Sequence, residues 1–265
     1  MSVLKALLLG IIQGIAEFLP VSSSGHLLIS RNLMDLGEVP VLFDVLLHVA
    51  TLIVVLIVFR EKVIALFRSL GRWIARRSDE SDKSNLNMII LIFVATFFTG
   101  GIGVVISELS FFENPKVVSV FFLVTALILW TTRYAKPKKD YESLGWKEGV
   151  LLGVAQGFGV IPGISRSGIT ISTGLIGGIN RDKAGEISFI ISIPAILGAL
   201  VLELKDGGAL LSEVGLLPLA AGFIMTMVVG YFSLLFLMKL IKGGRLYLFS
   251  FYLLAVGIAG LFFLP

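Results

Sequence analysis

Six stretches of this sequence are long and apolar enough to cross a bilayer as helices, and this feature limits the fold more than any other. Hydrophobic residues make up 56% and charged residues 15% of the 265 positions, and the mean hydropathy is +0.97. Water-soluble domains of this length are less apolar. We therefore predict an all-α polytopic membrane protein with six transmembrane helices, at about residues 41–59, 86–106, 117–132, 187–203, 215–238 and 246–264.

Two further apolar segments, at about residues 6–34 and 149–180, are interrupted near the middle. The first contains Pro20 followed by three serines and a glycine at 22–25, and the second combines proline, glycine, serine and arginine within 162–168. Irregular backbone at membrane depth is tolerated only where protein or a water-filled cavity satisfies its polar groups. Each segment is therefore predicted to be a re-entrant helix, loop and helix that returns to its own side of the membrane.

The two interrupted segments resemble each other, which indicates a duplication. The sequence Gly-Ile-Ile-Gln-Gly at 10–14 precedes the first break, and Gly-Val-Ala-Gln-Gly at 153–157 precedes the second. Each half then has one re-entrant segment and three spans, and an odd number of crossings inverts the second copy. We predict a single membrane domain built as an inverted-topology repeat, with the first repeat at 1–135 and the second at 136–265.

The lysines and arginines are distributed unequally between the two sides of this topology. Seventeen of the 22 fall in the segments 60–83, 133–147, 181–183 and 239–245, whereas the other side has Lys5, Arg31, Lys116 and Lys205. Cytoplasmic loops accumulate basic residues, so the pattern predicts a multi-pass protein of the cell membrane with both termini outside the cytoplasm. It indicates orientation, not nucleic-acid binding. The hydrophilic linker at 60–85 is interpreted as a solvated cytoplasmic loop, with contact to anionic lipid as the alternative.

Polar residues are costly at membrane depth, and the first break concentrates several of them. Gln13 and Glu17 are four residues apart, which puts both on one helix face, aimed at the break. Together they could hold a divalent cation or orient a base. Ser23, Ser24 and His26 follow in the sequence, and hydroxyls beside an imidazole are the parts of an activated nucleophile.

The second break offers groups that suit a phosphate. Gly163 is a small residue, and backbone amides are free at the start of the half-helix that follows. Hydroxyls and a guanidinium are supplied by Ser165, Arg166, Ser167 and Thr170. Hydroxyls and amides bind any anion, but an intramembrane arginine beside them favours a multiply charged one. A diphosphate fits this description.

Each of these groups also has a structural interpretation. Glu17 and Arg166 could form an ion pair that only closes the two half-helices on each other, and Ser-rich or Gly-rich stretches can serve helix packing. For His26, beside the serines, a functional role is favoured. His48 and Asp44 are near enough to an aqueous cavity to line it, and structural or solvating roles are favoured for both. Helix packing is assigned to Thr96, Thr99, Thr125 and Thr226.

Residues 13–26, QGIAEFLPVSSSGH, and 162–170, PGISRSGIT, closely resemble the two signature motifs of the undecaprenyl-pyrophosphate phosphatase family, also called the bacitracin-resistance family. Length, motifs and the spacing of the spans agree, so the resemblance covers essentially the whole chain. It implies an inverted-repeat fold whose site, open to the outer face, removes the terminal phosphate from the C55 lipid carrier with help from Mg²⁺ or Ca²⁺. It also implies a role in recycling the carrier for cell-wall polymer synthesis.

The resemblance also implies roles for individual residues. The acidic motif falls on Gln13 and Glu17, and the serine and histidine fall on Ser23 and His26. The phosphate-binding arginine is Arg166, flanked by Ser165, Ser167 and Thr170. The first acidic position is glutamine here, a variant that the family pattern allows. Glu17, phosphate oxygens and water would then complete the coordination of the cation.

The resulting hypothesis is hydrolysis of a polyprenyl diphosphate lipid. Ser23, deprotonated with the help of His26 or Glu17, attacks the terminal phosphorus, while Arg166 and the loop amides hold the phosphates. Ser24 is included among the phosphate-binding residues. Attack by water or by His26 is left open, as is a homo-oligomer; the expected partners are the lipid substrate and the bilayer.

Two other kinds of protein are considered. A lipid-carrier flippase or an anion transporter is the alternative from another class, since inverted repeats with broken helices are an architecture of secondary carriers. The type-2 phosphatidic-acid phosphatase design is disfavoured, because it needs two histidines in separate motifs. This chain has only His26 and His48, both in its first half.

Overall fold

The computed structural model describes residues 1–34, 36, 39–109, 114–203 and 214–264, and its described part is helical without named strands. The α-helices are α1 (Val3–Ala16), α2 (Ser23–Leu33), α3 (Val41–Val58), α4 (Arg60–Ile74), α5 (Lys83–Ser107), α6 (Pro115–Thr131), α7 (Trp146–Phe158), α8 (Arg166–Ile176), α9 (Arg181–Glu203), α10 (Leu216–Lys242) and α11 (Phe249–Phe263). Single 3₁₀ turns occupy Glu80–Asp82, Thr132–Tyr134, Tyr141–Ser143 and Leu246–Leu248.

Six of these helices are long and apolar enough to cross a membrane, and they are α3, α5, α6, α9, α10 and α11 within the described residues. Each coincides with one of the predicted spans, so the prediction of an all-α polytopic membrane protein is confirmed. Lys205, which was counted in the prediction of orientation, lies outside the described residues.

The two predicted breaks separate α1 from α2 and α7 from α8. Each second half-helix is directly preceded by a serine whose hydroxyl accepts a hydrogen bond from a backbone amide three residues later: Ser22 from Gly25, and Ser165 from Gly168. These bonds satisfy amides that the start of a helix leaves without a partner. Gly163, in the second break, has φ +96 and no room for a side chain, because a Cβ would lie 2.4 Å from the Val118 carbonyl oxygen.

The helices before the two breaks are packed in matching ways, each against a helix of the other half. α1 lies along α10, and α7 lies along α5. Thr226 of α10 donates to the Gly10 carbonyl at 3.1 Å, and Thr99 of α5 donates to the Gly153 carbonyl at 3.1 Å. The packing role predicted for these two threonines agrees with the contacts. This reciprocal packing, in which the first helix of each half lies against a helix of the other half, fits a duplicated chain. The boundary between 1–135 and 136–265 stays a prediction.

The linker at 60–85 was predicted to be a solvated loop, but most of it is the helix α4. Val63, Leu66 and Leu70 follow helical spacing and turn the apolar side of α4 inward, against α5. The helix is fixed at its end by Arg72, which pairs with the buried carboxylate of Asp82. Hydrogen bonds from Arg72 hold the pKa of Asp82 well below its ordinary value.

Candidate active site

The two breaks are in direct contact. The Gly163 amide donates to the Ser22 hydroxyl at 3.0 Å, and the Ser167 hydroxyl donates to the Phe18 carbonyl at 3.2 Å. All four groups are buried. Because these bonds join residues about 140 to 150 positions apart, they bring the start of α8 beside the end of α1.

The backbone of the second break is also hydrogen-bonded to Thr125 of α6. Its hydroxyl donates to the Gly163 carbonyl at 2.9 Å and accepts from the Ser165 amide at 3.2 Å. Thr125 was assigned only to helix packing, and no local sequence signal indicated that it supports this loop. Both backbone groups of Gly163 are therefore hydrogen-bonded and help to shape the loop, while its predicted part in phosphate binding stays a prediction.

Glu17 is the centre of the site, and four side chains converge on its carboxylate. Arg166 pairs with Oε1. On Oε2, Ser23 donates from 2.7 Å and the Gln13 amide from 3.1 Å, and Nε2 of His48 lies 3.3 Å away. The Glu17 side chain is only 4% exposed, so its carboxylate is shielded from water, whereas the Arg166 side chain is 20% exposed. The two charged groups predicted to meet do meet, although a purely structural ion pair would show the same contact.

A cavity of about 240 Å³ opens over this cluster. Its polar wall contains Glu17, Ser22, Ser23, Ser24, His48, Ser165, Arg166 and Ser167. Its apolar wall includes Val45 of α3 and Ala195, Ile196 and Ala199 of α9. A carboxylate, a guanidinium and several hydroxyls therefore share one space with a hydrocarbon-like surface, which suits an amphiphile with an anionic head.

His26 is not among the described residues that line the cavity, and its predicted catalytic role stays a prediction. Its Nδ1 lies 2.8 Å from the Ser22 carbonyl oxygen and its Nε2 lies 2.8 Å from the Tyr252 hydroxyl. The ring also packs against Phe122 of α6, with centroids 5.0 Å apart. Both nitrogens of His26 therefore have partners, and the imidazole that lines the cavity is that of His48.

Thr170 also lies outside the cavity wall. Its hydroxyl donates to the Arg166 carbonyl at 2.8 Å and is in contact with the Ser188 hydroxyl of α9. The side chain therefore braces the first turn of α8 against α9. This contact supports the backbone of Arg166, and the predicted direct contact of Thr170 with phosphate stays a prediction.

The residues predicted to hold a divalent cation form an incomplete set. Gln13 directs its amide nitrogen to Glu17, and its buried Oε1 has no hydrogen-bond partner in the described part of the chain. Within the described residues, no group of three or more His, Cys, Asp or Glu side chains is placed to hold a metal. Hard cations prefer six or more oxygen ligands. Glu17 fits such an ion only as one ligand among oxygens brought by a substrate and by water.

Together, the helical bundle and its two joined breaks define a polytopic membrane protein with a polar site between its helices. The sequence matches the model of the family described as "Bacitracin resistance protein BacA" over residues 6–259. The chain belongs to this family.

Curated relatives support the same assignment. An undecaprenyl-diphosphatase of Treponema denticola is 48% identical over 97% of this chain and 96% of the relative. Two further proteins with the same name are also similar to this chain. The one from Borrelia recurrentis is 38% identical over 96% of each chain. The one from Carboxydothermus hydrogenoformans is 38% identical over 97% of this chain and 96% of the relative.

Proposed function

We propose that this protein is an integral membrane phosphatase that hydrolyses undecaprenyl diphosphate to the monophosphate and inorganic phosphate. The observation that carries the proposal is the single cavity in which Glu17, Ser23 and Arg166, from two distant breaks, come together. The activity would recycle the lipid carrier for cell-wall polymer synthesis and confer resistance to bacitracin. The names of the relatives support the substrate.

In the proposed reaction, Arg166 binds the diphosphate and Ser23 attacks its terminal phosphorus in line with the bridging oxygen. The proton of Ser23 passes to Glu17, whose Oε2 is 2.7 Å from the serine oxygen. The bond from phosphorus to the bridging oxygen breaks and the lipid monophosphate leaves. Water then cleaves the phosphoserine, releasing inorganic phosphate. Glu17 is the base in this scheme because, unlike His26, it contacts Ser23.

The apolar wall of the cavity gives the lipid tail a place. Val45, Ala195 and Ala199 offer small or aliphatic side chains next to the polar groups. The first isoprene units would lie there, with the rest of the tail in the bilayer. Apolar contact of this kind adds binding energy in proportion to the area buried.

The proposed location is the cell membrane, with the cavity and both termini on the extracytoplasmic side. The cavity lies at the first half of α3 and the last part of α9. The basic segments lie at the opposite ends of the same helices, at Arg60 and at Arg181. Basic residues accumulate on the cytoplasmic side, so the cavity faces away from it.

Phosphate release by the purified protein in detergent tests the proposal. Undecaprenyl diphosphate should yield one inorganic phosphate per lipid monophosphate, whereas a flippase or an anion transporter would release none. Trapping with labelled substrate then tests the nucleophile. Absence of label from every serine would contradict attack by Ser23 while leaving the phosphatase assignment in place.

We further propose that Mg²⁺ or Ca²⁺ assists, held by Glu17 and by oxygens of the substrate. Such an ion supplies neutralisation of the phosphate charge. A chelator should therefore reduce hydrolysis, and either ion should restore it. Gln13→Glu places a second carboxylate one helical turn from Glu17, so the cation concentration needed for half-maximal activity should fall about tenfold. Identical cation titrations for both proteins would contradict a cation at this position.

Gly159, in the wall of the cavity, gives a test of how closely Arg166 must be positioned. A Cβ at Gly159 would lie 2.8 Å from the Cα of Arg166. Gly159→Ala should therefore displace the guanidinium and lower the rate of hydrolysis about tenfold to a hundredfold. Gly101→Ala on α5 is the matched control, because a Cβ there meets open space. Equal rates for the two variants would show that Arg166 tolerates displacement.

A further inference from the structure

The helix α4 exposes an apolar face that no other part of the described chain covers. Phe67 is 71%, Ile74 68% and Ile64 46% exposed, while Leu66 and Ser69 on the opposite face are buried. Arg68 borders the exposed face. α4 begins at Arg60, directly after the membrane-spanning α3 ends at Val58. An amphipathic helix that leaves a span in this way and carries basic residues beside its apolar face is suited to lie in the bilayer interface.

A second cavity, of about 550 Å³, opens at the beginning of α4. Lys62 of α4 and Lys183 of α9 both line it and both approach the ring of Tyr141. Their ammonium groups lie 3.9 and 4.3 Å from the ring centroid. Ile57 and Leu235, which are 42% and 44% exposed, form an apolar part of the wall. Two cations and hydrocarbon therefore border the same space.

The side chains that line this cavity carry more positive than negative charge, although Asp140 and Asp182 are near enough to act on Lys62 or Tyr141. Its charged lining consists of Arg60, Lys62 and Lys183 against Glu61 and Glu186. Among the charged groups that the structure describes, none forms an ion pair with Lys62 or Lys183; Lys62 instead donates to Asn85 at 3.0 Å. Burial lowers the pKa of Lys62 and the positive charge of Lys183 lowers it further, while the carboxylates of Glu186 and Asp140 oppose this. An anion between the two lysines would relieve their repulsion.

We propose that this cavity binds the phosphate of an anionic phospholipid, whose acyl chains lie along Ile57 and Leu235 while α4 rests in the same leaflet. Arg60, Lys62 and Lys183 contact the head group. A free phosphate offers the same anion without the chains, so the exposed apolar wall favours the lipid. The site lies at the opposite end of α3 from the candidate active site and is independent of the proposed hydrolysis.

Native mass spectrometry of the detergent-purified protein with added phosphatidylglycerol tests the site. The double variant Lys62→Gln with Lys183→Gln should weaken lipid retention at least tenfold. The control is the double variant Lys136→Gln with Lys138→Gln, which changes two exposed lysines in another basic segment and should bind the lipid as the wild type does. Equal retention by both pairs overturns the proposal. Displacement of the lipid by millimolar inorganic phosphate would identify a soluble-anion site and would also overturn it.

A second measurement tests the placement of α4 in folded, membrane-embedded protein. The chain has no cysteine, so single cysteines can be labelled without background. In phosphatidylglycerol vesicles, fluorophores at Phe67→Cys and Ile74→Cys should be quenched by nitroxide-labelled lipid. A fluorophore at Arg76→Cys, past the end of α4, should instead be quenched by iodide in the aqueous phase. If the labels on α4 are quenched by iodide as strongly as the label at position 76, α4 does not lie in the bilayer.

Discussion

Glu17→Gln is expected to lower kcat for lipid diphosphate hydrolysis about a thousandfold. The substitution keeps the size of the side chain but removes the carboxylate that accepts from Ser23 at 2.7 Å and pairs with Arg166. General base catalysis by a positioned side chain contributes about a hundredfold to ten-thousandfold, and the loss of Arg166 positioning adds to it. The measurement is phosphate release from the purified variant in detergent.

The control for this variant is Glu61→Gln, since Glu61 is an exposed carboxylate on the same chain. It should keep the wild-type rate. Folded protein must be verified by thermal unfolding, because the substitution leaves Arg166 unpaired. A Glu17→Gln protein that is folded and hydrolyses at the wild-type rate would show that the carboxylate is not part of the catalyst.

Arg166→Gln should have the second large effect, on both activity and stability. Removing one partner of a buried ion pair costs about 3 to 5 kcal/mol, because the remaining charge is left uncompensated. The same change removes the guanidinium from the polar wall that the described residues form around the cavity. We expect a fall of about a hundredfold or more in kcat/KM together with a lower unfolding temperature.

The double variant Glu17→Gln with Arg166→Gln separates a catalytic role from a structural one. With both charges gone, the stability should return towards that of the wild type. Activity should stay lost, because neither the phosphate-binding guanidinium nor the base is restored. If activity returned with stability, the ion pair would serve only to close the two half-helices on each other.

The spans and the two breaks could be predicted because they follow from local composition. A stretch such as 215–238 has no stable alternative to a helix in a bilayer. Pro20 and Gly163 mark the two breaks because each stands in a cluster of proline, glycine and serine residues, whereas Pro194, which stands alone, lies inside α9. The helix α4 was missed because its charged residues lower the average hydropathy of the segment. Only the helical spacing of its apolar residues shows that they share one side.

The arrangement of side chains around Glu17 was only partly predictable. Glu17 and Arg166 were paired from the cost of leaving either charge alone at membrane depth. The sequence could not indicate which histidine enters the cavity, since His26 is near the serines in sequence and His48 is not. That outcome depends on the direction in which α2 faces Tyr252 of α11, a contact across 226 residues. Thr125 was assigned only to packing for the same reason.

The reciprocal packing of the two halves, in which α1 lies against α10 and α7 against α5, has a consequence for biosynthesis. α1 finds its partner only when α10 is made, since Gly10 bonds to Thr226 across 216 residues. The hydrogen bond between the Gly163 amide and the Ser22 hydroxyl likewise forms only after the second half is made. A ribosome that has delivered only the first half of the chain has therefore placed Glu17 and Ser23 in the bilayer without the arginine they need. A stalled or truncated product is therefore expected to be inert, since the proposed site also needs Arg166 of the second half.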